Sequence, residues 1–283
     1  MSEHAPATSA AKLSLIRPRR DWRLFDLNEL WSYRDLLWIL VQRDIKVRYK
    51  QTIVGGLWTV LQPLATMLVF TVLFQLLGRT PAPDGTPYAV TLLCGLLPWQ
   101  FFASSLTQSS ESLINNQNLV TKVYFPRILI PITPILAGLV DFALAFVVLV
   151  CVMAWHGITP TASVLYLPIF VLFAMTTCLA IGLWLAALNT LYRDFRYVLP
   201  FSIQMGFFIS PVIFEASLIP EKWSFLYSLN PMVGVIEGFR WSLLGRAQPP
   251  LTPMLVSACV VATLLVGGLA YFRRMERTFA DNV

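Results

Sequence analysis

The strongest constraint on this chain is an uncharged stretch at residues 51–78, which lies between the cations Lys50 and Arg79. At about 1.5 Å of helix rise per residue, roughly 20 apolar residues cross a hydrocarbon core about 30 Å thick. The stretch is therefore long enough to span a membrane. The whole chain is 57% hydrophobic and 13% charged, whereas a soluble domain carries about 25% charged residues. These features predict an all-α integral membrane protein.

The segment before this stretch has the pattern of a helix lying in the membrane interface. Two sets of residues recur at helical spacing on different faces. The apolar set is Leu27, Leu30, Trp31, Trp38, Val41 and Ile45, and the charged set is Asp35, Arg43, Lys46 and Lys50. The sequence predicts an amphipathic interface helix over residues 27–50, which then turns into the first span.

Six apolar segments are long enough to be membrane spans. They are predicted at residues 53–77, 88–113, 128–155, 163–191, 198–213 and 251–272. With the N-terminus inside, the cytoplasmic segments hold 17 of the 21 Lys and Arg residues. This distribution follows the positive-inside rule and predicts that both ends of the chain are cytoplasmic. The expected organisation is a tail and interface helix at 1–50, a six-span domain at 51–272 and a short tail at 273–283.

Two polar segments are too short or too polar to span. Residues 115–127, between the second and third spans, are amphipathic and carry Lys122 and Arg127. Residues 215–250 contain two short apolar pieces and six charged residues. We expect a cytoplasmic helix at the first segment and a re-entrant pair of short helices before the sixth span at the second.

The sequence lacks the common motifs of catalysis and nucleotide binding. There is no GxxxxGK[ST], HExxH or GxSxG motif, and the four cysteines are isolated in apolar runs. We therefore predict no catalytic residue, no metal site and no P-loop in this chain. Asp141 is the one acidic residue well inside a predicted span. It is either a proton or substrate relay, or a carboxyl group that is satisfied by neighbouring polar groups or neutral in the bundle.

Short motifs spread over residues 27–274 carry a family resemblance. They read RDIKVRYK at 43–50, GLW at 56–58, QPL at 62–64, KVYFPR at 122–127, LYRDFR at 191–196, SPV at 210–212, NPM at 230–232 and EGFR at 237–240. With this order of segments the chain resembles the permease subunit of ABC exporters that move O-antigen, capsule or teichoic-acid polysaccharides.

The resemblance implies a partnership and a cargo. The permease would be a homodimer bound to two copies of a separate ATPase subunit, which binds ATP and Mg, so this chain would need no cofactor and would not be an enzyme. The cargo would be an undecaprenyl-pyrophosphate-linked polysaccharide moved out across the bacterial inner membrane. Membrane lipids and this glycan, and no nucleic acid, are the other expected partners.

The resemblance also suggests roles for cytoplasmic residues. The coupling helix on the ATPase would use Asn118, Lys122, Tyr124, Phe125 and Arg127, the last two at the end of that helix; the alternative is an ordinary connecting loop. The lipid pyrophosphate entrance would use Arg43, Lys46, Arg48, Lys50, Arg193 and Arg196. These cations suit phosphate. The alternatives are an anchor that serves topology alone and an ion pair between Asp194 and Arg193.

A glycan path needs aromatic faces that stack on sugar rings. Candidates are Tyr88, Trp99, Phe101 and Phe102 on the second span and Phe201, Phe207, Phe208 and Phe214 on the fifth. The alternative is packing in the core or in interfacial belts. Hydrogen bonds to cargo, or between helices, would come from Gln62, Ser104, Ser105, Gln108 and Gln204. Glu237 and Arg240 are spaced to pair on the exit helices.

Other functions remain open from the sequence. A drug or small-lipid exporter has the same architecture and also needs an ATPase. A membrane enzyme on lipid-linked sugars would need a carboxylate or histidine cluster at one membrane face, which is missing from the sequence. An ion-coupled carrier would need more charge within its spans.

Overall fold

The structure is a computed structural model that describes residues 27–50, 55–78, 85–192, 194–245, 249–276 and 279. All the regular structure in these residues is helical. The α-helices are α1 (Leu27–Ser32), α2 (Arg34–Lys50), α3 (Gly55–Leu76), α4 (Tyr88–Asn115), α5 (Gln117–Lys122), α6 (Leu129–Trp155), α7 (Leu167–Leu191), α8 (Phe195–Ile209), α9 (Glu221–Ser228), α10 (Pro231–Leu244) and α11 (Leu251–Met275). Short 3-10 turns precede α7 and α9.

Five helical segments of the described chain are long and apolar enough to cross a membrane. They are Leu57–Leu76, Tyr88–Asn115, Leu129–Trp155, Ala162–Leu191 and Leu251–Met275. Their bounds agree closely with the first four predicted spans and the sixth. The protein is thus an all-helical, multi-pass membrane protein.

The fifth predicted span, at 198–213, differs from expectation. The helix found there, α8, has 15 residues and ends at Ile209. Its length of about 22 Å is less than the roughly 30 Å of a hydrocarbon core. The helix stops because Pro211 disfavours helical geometry at Ser210, whose ψ of 155° is extended. The described residues therefore contain five helical segments that are long enough to span, and α8 is too short to be another.

Helix α4 is the centre of the fold. In the most apolar part of α4, 83% of the residues are buried, whereas only 6% are buried in the corresponding part of the first span. The other helices are therefore arranged around α4. Glycines permit its close packing on α6 and α7. A Cβ at Gly138 would lie 2.7 Å from Oγ of Ser105, and one at Gly182 would lie 2.7 Å from Oγ of Ser109. Small residues at such crossings let helix backbones approach closely.

The predicted interface helix is divided at Tyr33 into α1 and α2. Leu40 of α2 shares a small cavity with Ile130 and Thr133 of α6, and Arg48 bonds to Asp141 further along α6. The two helices therefore run side by side in the same direction. A helix in the interface plane would cross a span steeply, so this part of the expectation is not met.

The segment before the last span does contain two short helices, α9 and α10. Helix α10 is buried over most of its length and packs against α4, α7 and α11. It begins with Asn230 as its N-cap, whose side chain accepts a hydrogen bond from the backbone N–H of Met232 at 3.0 Å. It ends at Gly245, which has a positive φ of 66°. The prediction of two short helices here is correct.

Candidate functional site

The cationic end of α2 brings together residues from three helices. Arg48 donates hydrogen bonds to the carboxylate of Asp141 on α6 and to the side-chain carbonyl of Gln108 on α4. The hydroxyl of Tyr49 donates to the other oxygen of Asp141. Partial burial lowers the pKa of the Arg48 guanidinium, although nearby charges oppose the shift. Asp141 is therefore satisfied by neighbouring polar groups, as the second sequence interpretation predicted.

The remaining predicted entrance cations have different environments. Arg43 donates to the carboxylate of Asp44 at 3.0 and 2.8 Å. Lys46, Lys50 and Arg196 have exposed side chains. Arg193 lies outside the described residues. The structure thus leaves Lys46 and Lys50 displayed on α2, with Arg43 held by an ion pair between neighbouring residues.

The predicted coupling segment is only partly helical. Its helix, α5, ends at Lys122, so the expectation of a helix ending at Phe125-Pro126-Arg127 is wrong. Val123 is extended, and Pro126 cannot donate a backbone hydrogen bond, so the chain leaves the helix early. Asn118, Lys122, Val123 and Tyr124 are exposed, and the side chain of Tyr124 is 83% exposed.

Two of the predicted coupling residues point into the protein. Phe125 is buried in a cluster with Phe272 and Phe279. Arg127 donates from its side chain to the backbone carbonyl of Glu276, and its backbone N–H donates to the Glu276 carboxylate at 3.2 Å. In this chain both residues attach the segment to the end of α11. Both side chains are therefore engaged in contacts within this chain.

The aromatic candidates on α4 form part of the core. Tyr88, Trp99, Phe101 and Phe102 are all buried within the chain. Tyr88 donates its hydroxyl hydrogen to the carbonyl of Ile213 at 2.9 Å. These four residues pack the core rather than line a path, which corrects the sequence expectation. It failed because 83% of the residues in the apolar part of α4 are buried, and periodicity cannot reveal that.

The aromatic candidates near α8 are more accessible. Phe201 and Phe208 are exposed, and Phe207 and Phe214 are half-buried. Phe207 contacts Phe70 of α3 and Trp99 of α4, with ring centroids 6.3 and 6.1 Å apart. Helices α3 and α8 therefore meet beside α4.

Polar side chains lie on the exposed surfaces of these helices. Gln62 on α3, Ser104 on α4 and Gln204 on α8 are exposed, whereas Ser105 is buried and Gln108 is half-buried. A polar side chain that faces lipid inside a span is costly, so such residues usually face protein or a water-filled cavity. We therefore expect Gln62, Ser104 and Gln204 to be covered by protein or hydrated.

Glu237 and Arg240 pair as predicted, with Arg240 Nη1 and Glu237 Oε1 2.9 Å apart. Arg240 is fully buried and also donates to the carbonyls of Val212, Phe214 and Thr91. It holds the irregular backbone after α8 against α4 and α10. The sequence indicated the pair but not the three backbone contacts.

Comparison with known proteins adds an independent finding. The family model described as ABC-2 type transporter matches residues 35–244. An O-antigen export system permease protein RfbA of Myxococcus xanthus is 31% identical over 91% of this chain and 98% of its own length. One from Klebsiella pneumoniae is 30% identical over 87% of this chain and 94% of its own length. A polysialic acid transport protein KpsM of Escherichia coli is 28% identical over 86% and 94%.

Proposed function

Because this chain belongs to the ABC-2 type transporter family, we propose that it is the membrane permease of an exporter for O-antigen-type polysaccharide. The observation that carries the proposal is the similarity to O-antigen export permeases along nearly the full length of both chains. The cargo would be a polysaccharide on an undecaprenyl pyrophosphate carrier, moved from the cytoplasm across the inner membrane of a bacterium. A capsule-type polysaccharide is the second candidate, supported by the similarity to polysialic acid transport proteins.

A separate ATPase subunit supplies the energy in this proposal. Permeases of this family work with an ATPase, and this sequence has no P-loop motif. Its contact with the ATPase is the exposed strip Lys122, Val123 and Tyr124, which begins at the last residue of α5. An exposed aromatic ring beside a cation is a common anchor in protein interfaces. Phe125 and Arg127 fix this strip to α11, so movement of the strip passes directly to a span.

A second copy of the chain completes the transporter. The exposed surfaces of α3 and α8 are adjacent and carry Gln62 and Gln204 among apolar side chains. Pairing of two copies along these surfaces would shelter the polar groups and enclose a path for the glycan. Phe201 and Phe208 are exposed on α8 and are the aromatic residues best placed to stack on sugars in that path.

The cations displayed on α2 are the proposed attraction for the lipid pyrophosphate. Lys46 and Lys50 are exposed, and they share one face of the helix with Gln42 and Arg43. Ammonium groups bind phosphate as point charges without demanding one geometry. Arg196, at the start of α8, adds an exposed cation at the cytoplasmic end of another helix.

Deletion of this chain in its native host tests the function. We expect loss of surface polysaccharide, build-up of lipid-linked glycan on the cytoplasmic face, and recovery when the intact chain is restored. The size and sugar composition of the trapped glycan separate O-antigen from capsule. Unchanged surface polysaccharide with no trapped glycan would contradict the glycan proposal and favour a small-molecule exporter.

A further inference from the structure

The contact between the end of α2 and the middle of α6 places a charged pair well inside a membrane span. Asp141 lies about 18 Å along α6 from Leu129, at 1.5 Å rise per residue, and both members of its ion pair with Arg48 are mostly buried. The exposed fractions of the two side chains are 24% for Arg48 and 19% for Asp141. A charged pair at this depth carries a desolvation cost that only good pairing offsets.

Asp141 makes directed contacts that fix the geometry of the helix end. One carboxylate oxygen accepts from Arg48 and the other from the Tyr49 hydroxyl. Arg48 also donates to Gln108, so α4 is included in the contact. Two successive residues of α2 are thereby tied to one carboxylate. These bonds define both the position and the rotation of the last turn of α2.

The last turn of α2 lies where the contact can set the position of the entrance cations. It lies immediately before the connection from α2 to α3, where the chain passes from the entrance segment into the first span. Lys46 and Lys50, the exposed cations of the proposed entrance, lie on the same turns. Any displacement of the end of α2 therefore changes where these cations stand relative to α6.

We propose that Asp141 is a positioning residue for substrate entry, acting through Arg48 and Tyr49. The Arg48–Asp141 pair holds the end of α2 on α6, and Arg48 serves this internal contact rather than the phosphates of the lipid. The inference rests on the proposed export function. In this proposal Arg48 no longer binds the substrate, as the sequence analysis expected, but fixes the geometry of the entrance.

A charge exchange tests this inference with the complete transporter. Inverted membrane vesicles are prepared from the native host with this chain replaced by each variant. Radiolabelled lipid-linked glycan is then supplied on their outer face with ATP. Glycan moved into the lumen is measured per ATP hydrolysed and per amount of folded complex. The variants are Arg48→Asp, Asp141→Arg and the two combined, with Asp141→Glu as the conservative variant.

The proposal predicts that each single charge change lowers glycan moved per ATP at least tenfold. The combined variant should return to within threefold of the wild-type ratio, and Asp141→Glu should stay near wild type. Arg34→Glu is the matched control, because Arg34 is an exposed cation at the other end of the same helix and lies outside the proposed entrance. It should stay near the wild-type ratio.

Two results would overturn the proposal. If the ratio per folded complex is unchanged while the amount of folded complex falls, the pair only stabilises the fold. If Asp141→Arg alone is active and every variant without the Arg48 cation is inactive, Arg48 acts on the substrate instead. The wild-type vesicles test the function separately: if they move no glycan, the proposed cargo fails, and a thermal-stability cycle of the same variants still measures the pair.

Discussion

The fully buried Arg240 offers the sharpest stability prediction in this protein. Its guanidinium donates to Glu237 at 2.9 Å and to the carbonyls of Val212, Phe214 and Thr91 at 2.8, 3.0 and 3.3 Å. The substitution Arg240→Met keeps much of the side-chain volume but removes every donor. It deprives a buried carboxylate of its cation and three carbonyls of their hydrogen bonds.

The cost follows from these contacts. Polar contacts between helices in a membrane average about 0.6 kcal/mol each, so three carbonyl bonds contribute about 2 kcal/mol. Breaking a buried ion pair from one side costs about 3–5 kcal/mol, because the remaining charge stays buried. The backbone N–H of Ala216 still donates to the Glu237 carboxylate at 3.2 Å, which offsets part of that cost. We therefore expect Arg240→Met to lower the free energy of unfolding by about 3–5 kcal/mol.

Reversible unfolding of the purified protein in mixed detergent micelles measures this change. Lys222→Met is the control, because Lys222 is exposed on α9 and its loss should change stability by less than about 0.5 kcal/mol. The double variant Arg240→Met/Glu237→Leu should recover part of the loss, since neither charge of the buried pair remains. An Arg240→Met protein as stable as the control would refute the assigned role of Arg240.

Four other substitutions test separate parts of the structure. Tyr124→Ala should lower export at least tenfold without changing the amount of protein in the membrane, because the ring is 83% exposed; normal export would remove it from the ATPase contact. Gly182→Val should lower unfolding stability by about 1–3 kcal/mol, because its Cβ would lie 2.7 Å from Oγ of Ser109; thermal unfolding that matches wild type would contradict this packing. Trp99→Ala should lower the free energy of unfolding by about 3–5 kcal/mol, because Trp99 is buried. Phe208→Ala should leave stability unchanged and reduce glycan export, because Phe208 is exposed. Thermal unfolding and export assays that show the reverse pattern would contradict both assignments.

The membrane spans were predictable wherever an apolar run is long enough to cross the hydrocarbon core. The uncharged stretch before Arg79 and the apolar runs of α4, α6, α7 and α11 are long enough that no other structure satisfies their backbone in lipid. The two short helices before α11 were predictable for the opposite reason, because their apolar pieces are too short to cross. The helix end at Ile209 was missed, because composition continues apolar through Val212 while Pro211 stops the helix.

The functional residues were less predictable, because their partners are far away in the sequence. Asp141 was recognised as a solitary acid in a span, but nothing local shows that Arg48 reaches it. Phe125 and Arg127 have the composition of a docking surface. Their contacts with Phe272 and Glu276 depend on how the end of α11 packs beside the connection between α5 and α6.

The most direct test of the central claim is transport by the intact complex in inverted vesicles. Radiolabelled undecaprenyl-pyrophosphate-linked glycan is added outside with ATP, and the glycan is then challenged with an external glycosidase. The account predicts that ATP makes a growing fraction of the glycan resistant to the enzyme, and that a non-hydrolysable ATP analogue does not. An intact complex that hydrolyses ATP while all the glycan stays accessible would contradict polysaccharide export by this chain.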